Sequence, residues 1–167
     1  MQFEFREHWW QSDVLLPAWS DFAQGHTSVL TFAPEGRDDS PMSAFEIGLV
    51  EWFYNNYEMQ KPFLLNAVFA AYPDFRKQYF EDYNLDENEE DLPTLATVDE
   101  LSKVVVLEEV FVHQISKDGV PYVGYQFDCR WEEEHGLGVL MHNSRVVEID
   151  GADCAYVLWI AEQDRDG

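Results

Sequence analysis

The stretch from Val120 to Asp150, VPYVGYQFDCRWEEEHGLGVLMHNSRVVEID, constrains this chain more than any other. From Val123 to Trp131 the residues alternate. Val123, Tyr125, Phe127, Cys129 and Trp131 share one face, and Gly124, Gln126, Asp128 and Arg130 share the other, the period-2 pattern of a half-buried strand with one side in the core and one in water. The pattern breaks at Glu132-Glu133-Glu134-His135-Gly136, returns as LGVLMH, pauses at Asn143-Ser144 and resumes as RVVEID. That is a three-stranded antiparallel meander, with Gly136 and Asn143 suited to positive φ at its two turns. Three consecutive glutamates and a histidine cannot be buried together without partners, so the first turn must project from the sheet end or meet something positive.

Before the meander, VVVLEEVFVHQIS is apolar on both faces and reads as a central strand, delivered into the meander by the turn Lys117-Asp118-Gly119. His113, midway along it, reads as a core histidine. Upstream, Phe3 and Phe5 suggest an edge strand over 2–7. Val14 to Pro17 is a short apolar run that the proline ends, and TSVLTF at 27–32 is a strand by its β-branched content.

Two helices are expected between. Ser40 before Pro41 reads as an N-cap, with Phe45, Leu49, Trp52 and Phe53 at helical spacing to about Tyr57. Lys61-Pro62 opens a second helix whose stripe runs from Phe63 to Tyr79, kinked or split at Pro73. Joined by a short loop, the two would pack as an antiparallel pair on one face of the sheet. Thr97-Val98-Asp99-Glu100 fits a capping box for a turn or two of helix. Ala155 to Ala161 reads as a short helix, a final strand being the alternative. The whole is one α+β domain over 1–167, with an antiparallel, mainly C-terminal sheet and two helices on one face.

Charge bounds the partners. Thirty-three acids against ten bases give a net charge of −23. An almost uniformly negative surface excludes nucleic acid and anionic membrane as partners and favours cationic proteins. Aromatic residues make up 16% of the chain, enough to build a core despite that charge. The acids concentrate in EDYNLDENEED at 81–91, which reads as a solvated loop or as an arm offering Glu87, Glu89 and Glu90 to a basic partner. Neither a basic-then-apolar leader nor an apolar run of membrane-spanning length is visible, so a cytosolic protein is expected. The two cysteines, Cys129 and Cys154, read as buried thiols, a disulfide being the alternative.

No nucleophile elbow, phosphate loop, dinucleotide-binding glycine pattern or CxxC spacing occurs. Cys129 points inward and lacks the cationic surroundings of a reactive thiolate. A non-catalytic binding protein without cofactor follows, its surface combining Trp131, Glu132, Glu133, Glu134, His135 and Asp128 with the acids of the arm. Aromatic residues set among acids supply desolvated anchors, and charge speeds encounter with a basic target. Strand phase also allows Trp131 as a core residue. The alternative is a metal-binding protein or a metal-dependent enzyme, its site built from Glu132, Glu134 and His135 with Asp128 or His142, although no HExxH spacing supports it.

The run FDCRWEEEHGLGVLMHNSRVVEIDGADCA resembles the DUF6985-type bacterial domains. Their hallmark is a cysteine, a tryptophan, three acids, then histidine, glycine, leucine and glycine, matched here from Cys129 to Gly138. The family pattern carries aspartate where Glu132 stands, a departure that leaves the charge intact. The layout of early strand, helices, polar stretch and C-terminal strands is similar over most of the chain. The resemblance implies no catalytic mechanism. It implies an association with immunity proteins encoded beside bacterial toxins, hence a basic toxin domain as partner.

Overall fold

The computed structural model describes residues 2–167. Seven strands lie side by side in chain order: β1 (Glu4–Arg6), β2 (Trp9–Val14), β3 (Ser28–Phe32), β4 (Val105–Lys117), β5 (Val120–Cys129), β6 (Leu137–His142) and β7 (Arg145–Asp150). All neighbours are antiparallel except β3 and β4, which run parallel from Val29↔Glu109 to Phe32↔Val112. A parallel pair obliges the chain to travel back along the sheet before pairing. That return is made by one long helix. The fold is therefore α+β as expected, with one parallel junction in an otherwise antiparallel sheet.

The helix is the main departure from the sequence reading. In place of two helices, α2 runs unbroken over Ala44–Asp82, through both Pro62 and Pro73. An interior proline costs roughly 3 kcal/mol in a helix. Both prolines are exposed, so the carbonyls they free can be solvated by water. Meanwhile the buried stripe Leu49, Val50, Phe53, Tyr57, Leu64, Leu65, Val68, Tyr72 and Phe80 continues past them without losing phase. At about 1.5–3 kcal/mol for each large side chain removed from water, the stripe outweighs the two lost hydrogen bonds. The N-cap is Ser43, not Ser40: its hydroxyl accepts from the Glu46 amide at 3.2 Å, and the Glu46 carboxylate accepts from the Ser43 amide at 2.9 Å, a full capping box.

One face of the sheet packs on α2. Tyr125 reaches from β5 to donate to the fully buried Gln60 at 2.6 Å, and Gln60 donates in turn to the carbonyl of Asn143 at 2.9 Å. The helix is thus tied to the turn between β6 and β7, where Asn143 takes φ 57°. Trp19, in the short helical turn Pro17–Trp19 that leads into α1 (Ser20–Ala23), fills the space against Tyr125 and Phe127, at ring distances of 5.5 and 5.8 Å.

The other face is not simply solvated, as alternation in β5 suggests. Beyond β7 the chain makes a tight turn at Ala152–Ala155 and then α3 (Leu158–Asp166), and this tail crosses behind β4, β5 and β6. Tyr122, Leu140 and Ala161 form a second small core there. The crossing depends on missing side chains. A Cβ at Gly124 would lie 1.8 Å from the Ala155 carbonyl oxygen, and one at Gly138 would lie 2.6 Å from that of Gly151. Asp164 anchors the far end, accepting from Arg145 at 2.6 Å and from the Tyr122 hydroxyl at 2.7 Å. Arg145 holds the Asp164 carboxyl down at about 2, against the partial desolvation that opposes it.

Candidate functional site

Strand β5 ends at Cys129, two residues before Trp131, so Trp131 belongs to the corner and not to the strand. The bond from the Arg130 amide to the Val104 carbonyl, 3.0 Å, closes the strand end. Trp131 then lies flat on Phe75 of α2, with ring centroids 5.2 Å apart and planes 10° apart, and meets the edge of Tyr72 at 5.5 Å. It is half-buried against the core.

The corner that follows is held by its own atoms. The Glu132 carbonyl accepts from the Gly136 amide at 2.9 Å, while the Glu132 carboxylate accepts from the His135 amide at 3.3 Å and faces the His135 ring Nδ1 at 3.1 Å. Gly136 sits at φ 69°, with its Cα backed against the Phe127 carbonyl, a position no larger residue could take without strain. The His135 carbonyl receives the Ala152 amide at 3.2 Å, so the corner is also where the tail docks. Glycines 136 and 138 of the EEEHGLG run thereby have backbone reasons. The two middle glutamates do not: Glu133 and Glu134 are exposed, and among the described residues neither pairs with a base.

The expected site residues divide between two sides of the corner. Trp131, Glu132 and His135 line a cavity of about 300 Å³ with Phe75, Tyr79, Asp82 and Asp150. Glu133 and Asp128 line a different cavity of about 340 Å³, beside Lys103 and Arg130. Asp128 also lies against Glu108, whose own carboxyl is pushed up by burial and by that neighbour.

The acidic segment approaches the corner through two arginines. Arg76, buried in the stripe of α2, donates from Nε to the Leu92 carbonyl at 2.9 Å and from Nη2 to the Asn88 carbonyl at 3.2 Å, and pairs with Glu87 at 3.3 Å. Arg130 donates to the carbonyls of Glu90 and Asp91 at 3.3 and 2.8 Å. Glu89 turns back on its own loop, accepting from the Thr94 amide and hydroxyl, each at 2.8 Å, which lowers its pKa. Of the three acids expected in the arm, Glu87 and Glu89 are therefore partly engaged within the molecule. Neither arginine was expected to organise the site. The signal was present for Arg76, a base in apolar phase between Tyr72 and Phe80.

The ligands of the metal alternative do not converge. Among the described residues no three of His, Cys, Asp and Glu are placed to share an ion. His142 is turned away, its Nε2 on the Lys117 carbonyl at 3.0 Å. At the corner, burial pushes the Cys129 thiol up to about 12 and leaves it protonated at neutral pH. Cys154 is buried and free as well, and likewise pushed up to about 12.

Fold and corner together define an acidic seven-stranded α+β domain whose carboxylate-rich turn is both a backbone fixture and an exposed charge. The chain belongs to the DUF6985 family, described as a domain of unknown function, whose model matches residues 1–157. The match takes in every strand and the turn at Ala152–Ala155, and ends just before α3. No curated protein and no solved structure matches the chain. No helix among the described residues is long and apolar enough to cross a membrane.

Proposed function

We propose that this chain is a non-catalytic acidic binding protein of the cytosol that neutralises a cognate cationic partner, a bacterial toxin domain, by occluding it. What supports the reading is the pair Glu133 and Glu134, exposed carboxylates that pair with no base among the described residues, on a corner whose backbone is fixed by bonds from Glu132, Gly136 and Ala152. A rigid turn loses little entropy when it is bound, and charge of one sign steers a basic target toward it. Single exposed ion pairs contribute about 0–1 kcal/mol each. Affinity must therefore come from several charges together or from an anchor, and the half-buried Trp131 beside its cavity has the form of one.

The test is co-expression with the product of the adjacent gene. A larger protein with a basic C-terminal domain should be toxic alone and harmless with this chain. The complex should associate more slowly as salt rises, and Glu133→Lys with Glu134→Lys should weaken it while leaving the thermal transition in place. Binding indifferent to salt and to both charge reversals, or none at all, overturns the reading.

A further inference from the structure

A second concave surface lies on the side of the sheet away from α2, where the tail stops short of covering β2 and β3. Register places its residues in two adjacent rows: Gln11, Thr31 and Phe111 side by side across β2, β3 and β4, and Glu109 beside Gln126 across β4 and β5. Trp9 and Pro34 wall one end and Tyr156 of the tail the other, around a cavity of about 410 Å³. That volume falls in the range of sites that enclose a small group, roughly 300–1,000 Å³, and is too small for a helix about 10 Å across.

The chemistry of the lining is selective. Glu109 is sunk between strands, and among the described residues it pairs with no lysine, arginine or histidine. No base among the described residues lines the cavity. Gln11 donates its amide to the Thr31 hydroxyl at 2.9 Å, which leaves its carbonyl oxygen as an acceptor, and Gln126 has a second amide with no partner among the described residues. The aromatic walls are held in place. The Trp9 indole donates to the Pro34 carbonyl at 2.9 Å, and Phe111 packs against Tyr156 with ring centroids 5.4 Å apart. A sunken carboxylate that pairs with no base among the described residues, set beside side-chain amides and aromatic rings, is complementary to one planar cation. A guanidinium offers five donors in a fixed fork and a flat face for stacking, and an ammonium offers neither the fork nor the face.

We propose that the Glu109 groove receives one arginine side chain of a protein partner. The inference rests on the acidic-binding reading for the nature of that partner and assigns it a second contact, on the sheet face away from α2.

The probe is N-acetyl-arginine N-methylamide, titrated into the full ¹⁵N-labelled chain at about 0.15 M salt, where surface attraction is screened beyond roughly 8 Å. Saturable shifts are expected at the Trp9 indole N–H and the Gln11 and Gln126 side-chain amides. Affinity should fall by about tenfold in Glu109→Gln, the loss expected for one charge-assisted hydrogen bond, and stay unchanged in Glu133→Gln with Glu134→Gln. The citrulline analogue, equal in shape and uncharged, should bind at least as weakly to the unmodified chain. Equal binding of citrulline, shifts that persist in Glu109→Gln, or no localised shift each overturns the proposal. The two readings fail separately. An unshifted groove beside a toxin that still binds through the corner removes the groove alone, and a responsive groove without a basic partner removes the neutralising role.

Discussion

The imidazole Nε2 of His113 lies 2.9 Å from the carbonyl oxygen of Ala155, in a position with no exposure to solvent. The same oxygen would lie 1.8 Å from a Cβ placed on Gly124. One backbone carbonyl of the tail is thus fixed by a donor on β4 and admitted by a missing side chain on β5. That pairing sets where the tail crosses the sheet, and with it the position of the His135 carbonyl that receives Ala152.

Gly124→Ala should therefore act on the tail before it acts on the sheet. The obstructing atom is backbone, so relief requires the whole turn at Ala152–Ala155 to move. We expect a loss of about 2–4 kcal/mol, at the upper end of what overpacking costs, read as a lower thermal midpoint. Hydrogen exchange should quicken over 152–166 more than in β3 or β4. A variant as stable as the parent, with the tail still protected, would show that the close approach does not govern the docking.

His113 gives the acid limb of stability a distinct slope. Burial lowers its pKa from 6.5 to about 4, so at neutral pH the ring is uncharged and its Nε2–H donates to Ala155, while Nδ1 has no partner among the described residues. A depressed pKa means the unfolded chain takes up a proton between these values and the folded chain does not. The contribution is fully present above 6.5 and is lost as pH falls toward 4, about 3 kcal/mol in all. His113→Gln keeps a donor near Ala155 and titrates nowhere. It should be less stable at pH 7, and its stability should fall more gently between pH 6.5 and 4, by up to about 1.4 kcal/mol per pH unit. Parallel curves for the two proteins in urea titrations would contradict this.

Legibility followed the range of the interactions. The meander was readable because alternation and turn residues are local, and the capping box at Thr97 for the same reason. The prolines of α2 misled because propensity counts the lost hydrogen bond but not the continuity of a buried stripe, which only the sheet beneath makes valuable. Gly124 looked like the solvent side of an ordinary strand, since nothing within a strand reveals that a distant tail will lie against it. In the corner, Glu132 and His135 were legible as a unit. Alternation already set Asp128 on the opposite face from Trp131, but the division of Glu133 from Trp131 was not legible, because it depends on which side of the sheet end each side chain leaves. Glu109 was overlooked as one acid among thirty-three. That it pairs with no base among the described residues is a property of three dimensions only.

Arg76 should hold the acidic segment in place. Its guanidinium serves the Leu92 and Asn88 carbonyls and the Glu87 carboxylate and lies 5.0 Å from the centre of the Phe80 ring. Arg76→Met keeps the apolar stem and removes every donor, leaving the Leu92 carbonyl without that bond beside a fully buried leucine side chain. About 2–4 kcal/mol should be lost. Exchange protection should drop over 86–92 while β5 and β6 are unaffected. If the segment stays protected, Arg130 alone suffices to hold it.

Glu109 stands in the opposite sense to His113, and its replacement should stabilise the protein. Burial pushes its carboxyl up from 4.5 to about 7, with the Thr31 hydroxyl pulling the other way. A raised carboxyl pKa means the folded chain holds the proton more tightly than the unfolded one. The associated stability is fully present below 4.5 and is lost as pH rises through 7. At pH 8 the ionised side chain costs about 1–3 kcal/mol, after discounting for its partial exposure. Glu109→Gln keeps the shape and carries no charge at any pH. Its thermal midpoint should match the parent's near pH 4 and exceed it by about 2–12 °C at pH 8, taking roughly 2–4 °C per kcal/mol for a domain of this size. The comparison isolates one group, because every other titrating residue is common to both proteins. A difference that is flat with pH would mean the carboxylate is well solvated and the groove is no place for a cation. A difference that grows with pH, and then shrinks when an arginine compound is added to the parent, would show an ionised acid held at a cost in the free protein and stabilised by the charge it lacks.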